Sequence, residues 1–261
     1  MRATSTLVET REIDVGGLAV RVRVEGEGEP VLLLSGLGQP LESWDPFVAS
    51  LGERRIVRFD APGVGHSATP IFPPSMASLA TIAAAVLDTA EIDQADVVGF
   101  SLGGALAQQL AHSSPTRVRR LVLIATSCGL GTTAGRWDSP DAWTAPAFAA
   151  TMARWPSLGW QSLAFVTWSS IPFLGSLTQP TLVICGRDDV IAPPVNGRVL
   201  ASRIPRARLV TLAADHGMLR PGPATELAHV VEGFLRRLDV DPDTDPIAGR
   251  LTRLPSSTSG T

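Results

Sequence analysis

The chain of 261 residues contains no lysine, and all 22 of its basic residues are arginine. Together with abundant alanine and glycine, this bias reflects coding composition rather than a function. Cysteine is scarce. Cys128 and Cys185 are too few for a disulfide framework, and Cys185, inside the apolar run "TLVICG", reads as a buried free thiol. No apolar run reaches the roughly 20 residues that a membrane-spanning helix needs. The opening "MRATSTLVETREIDV" lacks the apolar core of a secretory signal. The formal charge of −3 gives no basic excess for nucleic acid. No His/Cys cluster has metal-ligand spacing, so neither a metal nor another cofactor is expected. These absences predict a cytoplasmic protein with no membrane span and no nucleic-acid partner.

What is present is core material. Hydrophobic residues make up 44% and charged residues 18%, enough for one large α/β domain or two small ones. "REIDVGGLAVRVRVEG" alternates on both sides of Gly16 and Gly17 and predicts a hairpin. "PVLLLSG", "RRIVRFD", "ADVVGF", "RVRRLVLIAT", "QPTLVICG" and "ARLVTLA" are short apolar runs suited to strands buried on both faces. Helical patterns lie between them: "LESWDPFVASL", "MASLATIAAAVLDTAEI", "LGGALAQQLAHSS", "PPVNGRVLASRI" and "PATELAHVVEGFLRRL". Strands alternating with helices predict an α/β fold, a mainly parallel sheet with helices on both faces.

Residues 127–177 break the rhythm. Five of the six tryptophans fall there (Trp137, Trp143, Trp155, Trp160 and Trp168). This stretch is expected to be a short, partly helical cap inserted into a core formed by 11–126 and 178–238. The segment 239–261, rich in Asp, Pro, Ser and Thr, predicts a disordered tail.

In "VVGFSLGGALAQQLA", Val97 to Ala111, one serine stands among Gly99, Gly103 and Gly104 at a strand-to-helix seam. "G-F-S-L-G" matches the nucleophile-elbow pattern G-x-S-x-G in the strand–turn–helix context it requires. The serine must occupy a strained turn, and side chains at the flanking glycines would collide with it. The positive end of the following helix then favours negative charge developing at the site. A plain glycine-rich turn is the bland reading, and the flanking strand and helix argue against it.

A serine hydroxyl needs a base, and the base needs an orienting acid. Of four histidines, His112 falls on the far side of its helix, His229 inside the last helix, and His66 in a loop after the fourth strand. His216, in "AADHG" just beyond a strand, sits where open α/β sheets place their chemistry. "GRDDVIAPP" offers Asp188 and Asp189, one to orient the base and one as a loop residue. Backbone N–H groups would form the oxyanion hole: that of Leu102, and most simply that of Leu37 in "SGLG".

These stretches resemble the α/β-hydrolase superfamily from about Glu12 to Leu238. The resemblance implies the order Ser101, Asp189, His216 and selects Asp189 over Asp188. Where superfamily members often carry His-Gly, this chain has Ser35-Gly36. A closer resemblance is to intracellular poly(3-hydroxyalkanoate) depolymerases, carried by "DAPGVGHSATP", "GGALAQQLAH", "RRLVLIAT", "WSSIPFL" and "QPTLVICGRDD". It implies hydrolysis of a carboxylic ester in a small-molecule or polymeric hydroxy-acid substrate, with Trp168 and Phe173 expected in the acyl pocket. Two other readings use the same triad: a non-haem haloperoxidase or perhydrolase with peroxide as acceptor, and a thioesterase. A non-catalytic binding protein on this fold would typically lack a triad member, and all three are present.

Overall fold

The computed structural model describes residues 8–133, 135 and 157–236. The hairpin forms as its pattern requires. Strands β1 (Val8–Val15) and β2 (Leu18–Glu25) pair antiparallel. Their two-residue turn has Gly16 and Gly17 at φ of 63° and 85°, the doubly left-handed backbone that matches the twist of a hairpin.

Six further strands complete one sheet: β3 (Pro30–Leu34), β4 (Arg55–Phe59), β5 (Ala95–Phe100), β6 (Val118–Ile124), β7 (Thr181–Gly186) and β8 (Ala207–Leu212). Their order is β1-β2-β4-β3-β5-β6-β7-β8. β2 meets β4 antiparallel, and all pairings from β4 to β8 are parallel. The continuous apolar runs now have their reason. Leu32, Leu34, Val97, Leu121, Leu123 and Val183 enter the core on one face, while Val31, Leu33, Val98, Val122, Leu182 and Ile184 enter it on the other.

Helices α2 (Met76–Thr89), α3 (Leu102–Ser113) and α5 (Pro194–Arg203) cover the first face. Helices α1 (Asp45–Val48) and α6 (Pro223–Leu235) cover the second. The helix expected over "LESWDPFVASL" is divided into a 3₁₀ turn, Leu41–Trp44, and the four-residue α1, which has a proline in its first turn.

Of the segment 127–177, the described residues are 127–133, 135 and 157–177. They contain α4 (Ser157–Val166), a 3₁₀ turn at Leu174–Ser176 and a single bridge pairing Gly129 with Ser169. Ser170 Oγ donates to Gln108 Oε1 at 2.6 Å, and Gln108 Nε2 donates to Ser127 O at 3.0 Å, so this segment is tied to α3 near both of its ends. Trp137, Trp143 and Trp155 and the tail 239–261 lie outside the described residues. No helix among the described residues is long and apolar enough to cross a membrane.

Strand order reverses around β3: the chain first crosses to β4 on one side and then to β5 on the other. Open α/β sheets form a crevice at such a point, beyond the carboxyl ends of the strands. Leu34 pairs with Gly99, so the loop after β3 and the turn after β5 emerge side by side.

Candidate active site

Ser101 follows β5 directly and precedes α3, with φ 53° and ψ −118°. A left-handed non-glycine residue costs about 1–3 kcal/mol and persists only where surrounding structure enforces it. Three short hydrogen bonds do so here. Ser101 N–H donates to Ile124 O at 2.9 Å, and Ser101 O accepts from Gly104 N at 2.9 Å and Thr126 Oγ1 at 2.7 Å. The glycines are steric necessities. A Cβ on Gly99 would stand 2.3 Å from Gly103 O, and one on Gly103 would stand 2.0 Å from Leu34 O. Backbone packs directly on backbone, which lets α3 start immediately above the sheet.

His216 and Asp189 reach Ser101 from neighbouring loops. Gly186 pairs with Leu212 at the ends of β7 and β8. The ladder continues past them, with Arg187 N donating to Leu212 O at 2.8 Å and Asp188 N to Ala214 O at 3.1 Å. This zips the acid loop to the histidine loop. His216 Nε2 lies 3.1 Å from Ser101 Oγ, and His216 Nδ1 lies 2.8 Å from Asp189 Oδ2. An ionised carboxylate can only accept, so Nδ1 carries the proton and Nε2 is left to accept the serine hydroxyl. The Asp189 side chain is fully buried, and its Oδ1 accepts from Ile191 N at 2.9 Å and Ala192 N at 2.8 Å. Phe100 packs against the imidazole at a centroid distance of 5.1 Å. Asp188, by contrast, is exposed.

The other histidines stand apart from Ser101. His66 and His229 are exposed, and the exposed His112 stacks on Phe173 at 4.0 Å. His66 contributes only its backbone: its N–H donates to Asp60 Oδ2 at 2.9 Å. Buried Asp60 also accepts from Leu41 N at 2.7 Å, tying the loop after β4 to the loop after β3. Ser35, where the superfamily often has histidine, accepts the Trp44 indole N–H at 3.1 Å.

A cavity of about 420 Å³ opens over Ser101. Leu37, Leu102, Phe165, Val166 and Ile191 contribute its apolar wall. Three of the polar side chains on the wall bond backbone. Thr132 Oγ1 donates to Gly129 O at 2.6 Å, and Ser127 Oγ accepts from Gly129 N at 3.2 Å. Asn196 clamps Thr133 through both its amide atoms, at 3.1 and 3.0 Å. Leu37 and Leu102 line the cavity beside Ser101, and Leu102 is the first residue of α3, whose N–H has no partner within its helix.

Trp168 and Phe173 are not among the residues that line this cavity. The Trp168 indole N–H donates to Gln109 Oε1 at 2.8 Å, and its ring meets Phe173 edge-on at 6.2 Å. An indole N–H removed from water seeks an acceptor, and Gln109 on α3 supplies one on the flank of that helix. Phe165 and Val166, on α4, take the place at the wall. Sequence reading also missed Asn196 and Ala125. Ala125 lines the cavity at φ 47°, and nothing in "LIATS" announces that conformation.

Comparison with known proteins accords with this architecture. Residues 29–158 match the family model described as the alpha/beta hydrolase fold. The chain is 35% identical over 240 residues to a poly(3-hydroxyalkanoate) depolymerase of Ectopseudomonas oleovorans, covering 80% of this chain and 84% of that protein. It is 31% identical over 267 residues to a 2-hydroxymuconate semialdehyde hydrolase of Pseudomonas putida, covering 88% and 95%. The crystal structure of the enol-lactonase from Burkholderia xenovorans LB400 superposes with a TM-score of 0.76 at 28% identity, covering 87% of this chain and all of that one. This chain belongs to the alpha/beta hydrolase family. It is a hydrolase enzyme, similar to proteins named as a poly(3-hydroxyalkanoate) depolymerase and an enol-lactonase.

Proposed function

We propose that this chain hydrolyses carboxylic esters through an acyl-enzyme, with Ser101 as nucleophile, His216 as base and Asp189 as the acid that orients it. The observation that carries the reading is the hydrogen-bonded line Ser101–His216–Asp189, at 3.1 and 2.8 Å, ending at a strained serine that lines a cavity. Ser101 Oγ attacks the ester carbonyl carbon as His216 Nε2 takes its proton. The negative charge then on the carbonyl oxygen falls to the N–H groups of Leu37 and Leu102, and losing one such donor costs about 10²–10³ in rate. Collapse breaks the bond to the alcohol oxygen, which leaves with the proton from Nε2. A water molecule gives a proton to the same nitrogen, attacks the acyl carbon and releases the acid, restoring Ser101.

The apolar wall supports an uncharged acyl chain as substrate. In this reading the core, 11–126 with 178–238, carries the chemistry, and the insertion 127–177 roofs the acyl pocket.

The test is labelling by a fluorophosphonate, read by peptide mass, beside turnover of p-nitrophenyl esters of rising chain length. Labelling at Ser101 with ester turnover is expected. Labelling elsewhere, or turnover that survives Ser101→Ala, would overturn the reading. Hydrogen peroxide added as a competing acceptor separates hydrolysis from peracid formation.

A further inference from the structure

The loop after β3 carries three consecutive amides, and two side chains divide them. Gly36 N–H donates to Gln39 Oε1 at 3.2 Å. Gly38 N–H donates to Gln161 Oε1 at 3.0 Å. The amide between them, that of Leu37, has no hydrogen-bond partner among the described residues, and Leu37 lines the cavity beside Ser101. The turn is closed by Gln39 N–H donating to Gly36 O at 3.1 Å.

The two glutamines differ in origin. Gln39 belongs to the loop itself. Gln161 comes from α4, 123 residues along the chain, and is only 1% exposed. Its Nε2 donates to Pro62 O at 3.4 Å in the loop after β4. One buried amide thus joins the insertion to both loops. Burying a primary amide without partners costs on the order of 1–3 kcal/mol, so this side chain must find these acceptors and donors or leave the core. Its neighbours on the helix, Ser162, Phe165 and Val166, face the cavity.

We propose that Gln161 is a positioning residue for the oxyanion hole: with Gln39 it occupies the amides on either side of Leu37 and leaves the Leu37 N–H to the substrate oxygen. The inference rests on the serine-hydrolase reading above. It makes the insertion helix part of the catalytic geometry as well as a wall of the pocket. Without the Gln161 acceptor, the insertion helix loses its hold on the Gly38 amide, and the Leu37–Gly38 peptide is kept less firmly in line. A donor out of line costs rate in the transition state and leaves substrate binding intact, because the ground-state carbonyl carries little charge.

The experiment compares Gln161→Met, of similar shape without the acceptor, with Gln179→Met. Gln179 is likewise buried, but it bonds Ala111 O and Pro115 O away from the cavity, so it reports the general cost of removing a buried amide. Gln161→Met is expected to lower kcat about tenfold or more while KM stays within about twofold, a mispositioned donor costing less than a lost one. Affinity for a trifluoromethyl ketone, which forms an anionic tetrahedral adduct on the serine, should fall by the same factor as kcat/KM. Gln179→Met should lower the melting temperature with kcat and adduct affinity unchanged. An unchanged kcat in Gln161→Met, a rise in KM alone, or an equal kcat loss in Gln179→Met each overturns the inference while leaving the triad standing. Failure of the unsubstituted protein to be labelled at Ser101 overturns the triad reading and this inference together.

Discussion

The Asp189 carboxylate divides its two oxygens between His216 and the backbone: Oδ2 receives the imidazole Nδ1–H at 2.8 Å, and Oδ1 receives the amides of Ile191 and Ala192 at 2.9 and 2.8 Å. The carboxylate therefore cannot rotate without breaking bonds to its own loop, and the ring it holds is aimed at Ser101.

Asp189→Asn tests that division. With Asn Oδ1 kept by the two amides, Nδ2 faces His216 and donates to Nδ1. The ring proton moves to Nε2, which then cannot accept from Ser101. A fall in kcat of about 10⁴ is expected, with the fold intact by circular dichroism. Asp188→Asn, at an exposed position, should leave kcat within about twofold. The reverse ranking in steady-state kinetics would remove Asp189 from its role.

Ser101→Ala should abolish fluorophosphonate labelling and lower kcat by on the order of 10⁶. The variant should remain folded, because the three bonds that hold residue 101 are made by its backbone. Intact-mass analysis after probe treatment checks the first outcome, and chemical denaturation checks the last.

Chain-length preference should follow α4 and not the tryptophan beside α3. Phe165→Ala enlarges the cavity and should shift the p-nitrophenyl ester optimum toward longer acyl chains, with acetate turnover less affected. Trp168→Ala removes an indole bonded to Gln109 and packed on Phe173. It should lower stability by about 2–4 kcal/mol and leave the chain-length profile in place. A profile unmoved by Phe165→Ala would detach the insertion from substrate selection.

The glycines around the serine make a steric prediction. Gly103→Ala sets a Cβ 2.0 Å from the carbonyl oxygen of Leu34, an atom of the central sheet that cannot retreat. A loss of more than about 4 kcal/mol is expected, visible as failure to accumulate folded protein. Gly175→Ala, where a Cβ meets nothing within 4 Å, should change unfolding free energy by less than about 1 kcal/mol. Equal stability of the two variants would contradict the close approach of α3 to β3.

Much of this arrangement is legible in the sequence. Runs such as "VLLL" and "LVLI" are apolar at every position because both faces of the sheet are covered, and few other settings tolerate that. The tight turn at Ser101 is legible because it dictates its glycine neighbours. The choice of Asp189 over Asp188 came from family pattern, since both follow the same strand. Gln161 was hidden for a physical reason: its partners, Gly38 and Pro62, become its neighbours only when two loops and α4 converge. The local signal was slight, one amide within the otherwise largely apolar "LGWQSLAFV". Aromatic clustering around Trp168 and Phe173 identifies an apolar surface without saying which side of a helix it covers.

The segment 127–177 departs from the end of β6 and returns at the start of β7, and these two strands are adjacent in the sheet. Its two stems are further pinned to one helix through Ser127, Gln108 and Ser170. The span that its ends must bridge is therefore set by the sheet and not by the segment between them. Under such boundary conditions, doubling the length of an intervening loop adds only about 0.6 kcal/mol of closure entropy. Descendants of this chain could lengthen, shorten or exchange the segment with little penalty to folding. The one amide on α4 that reaches the β3 loop would be the part they could least readily discard.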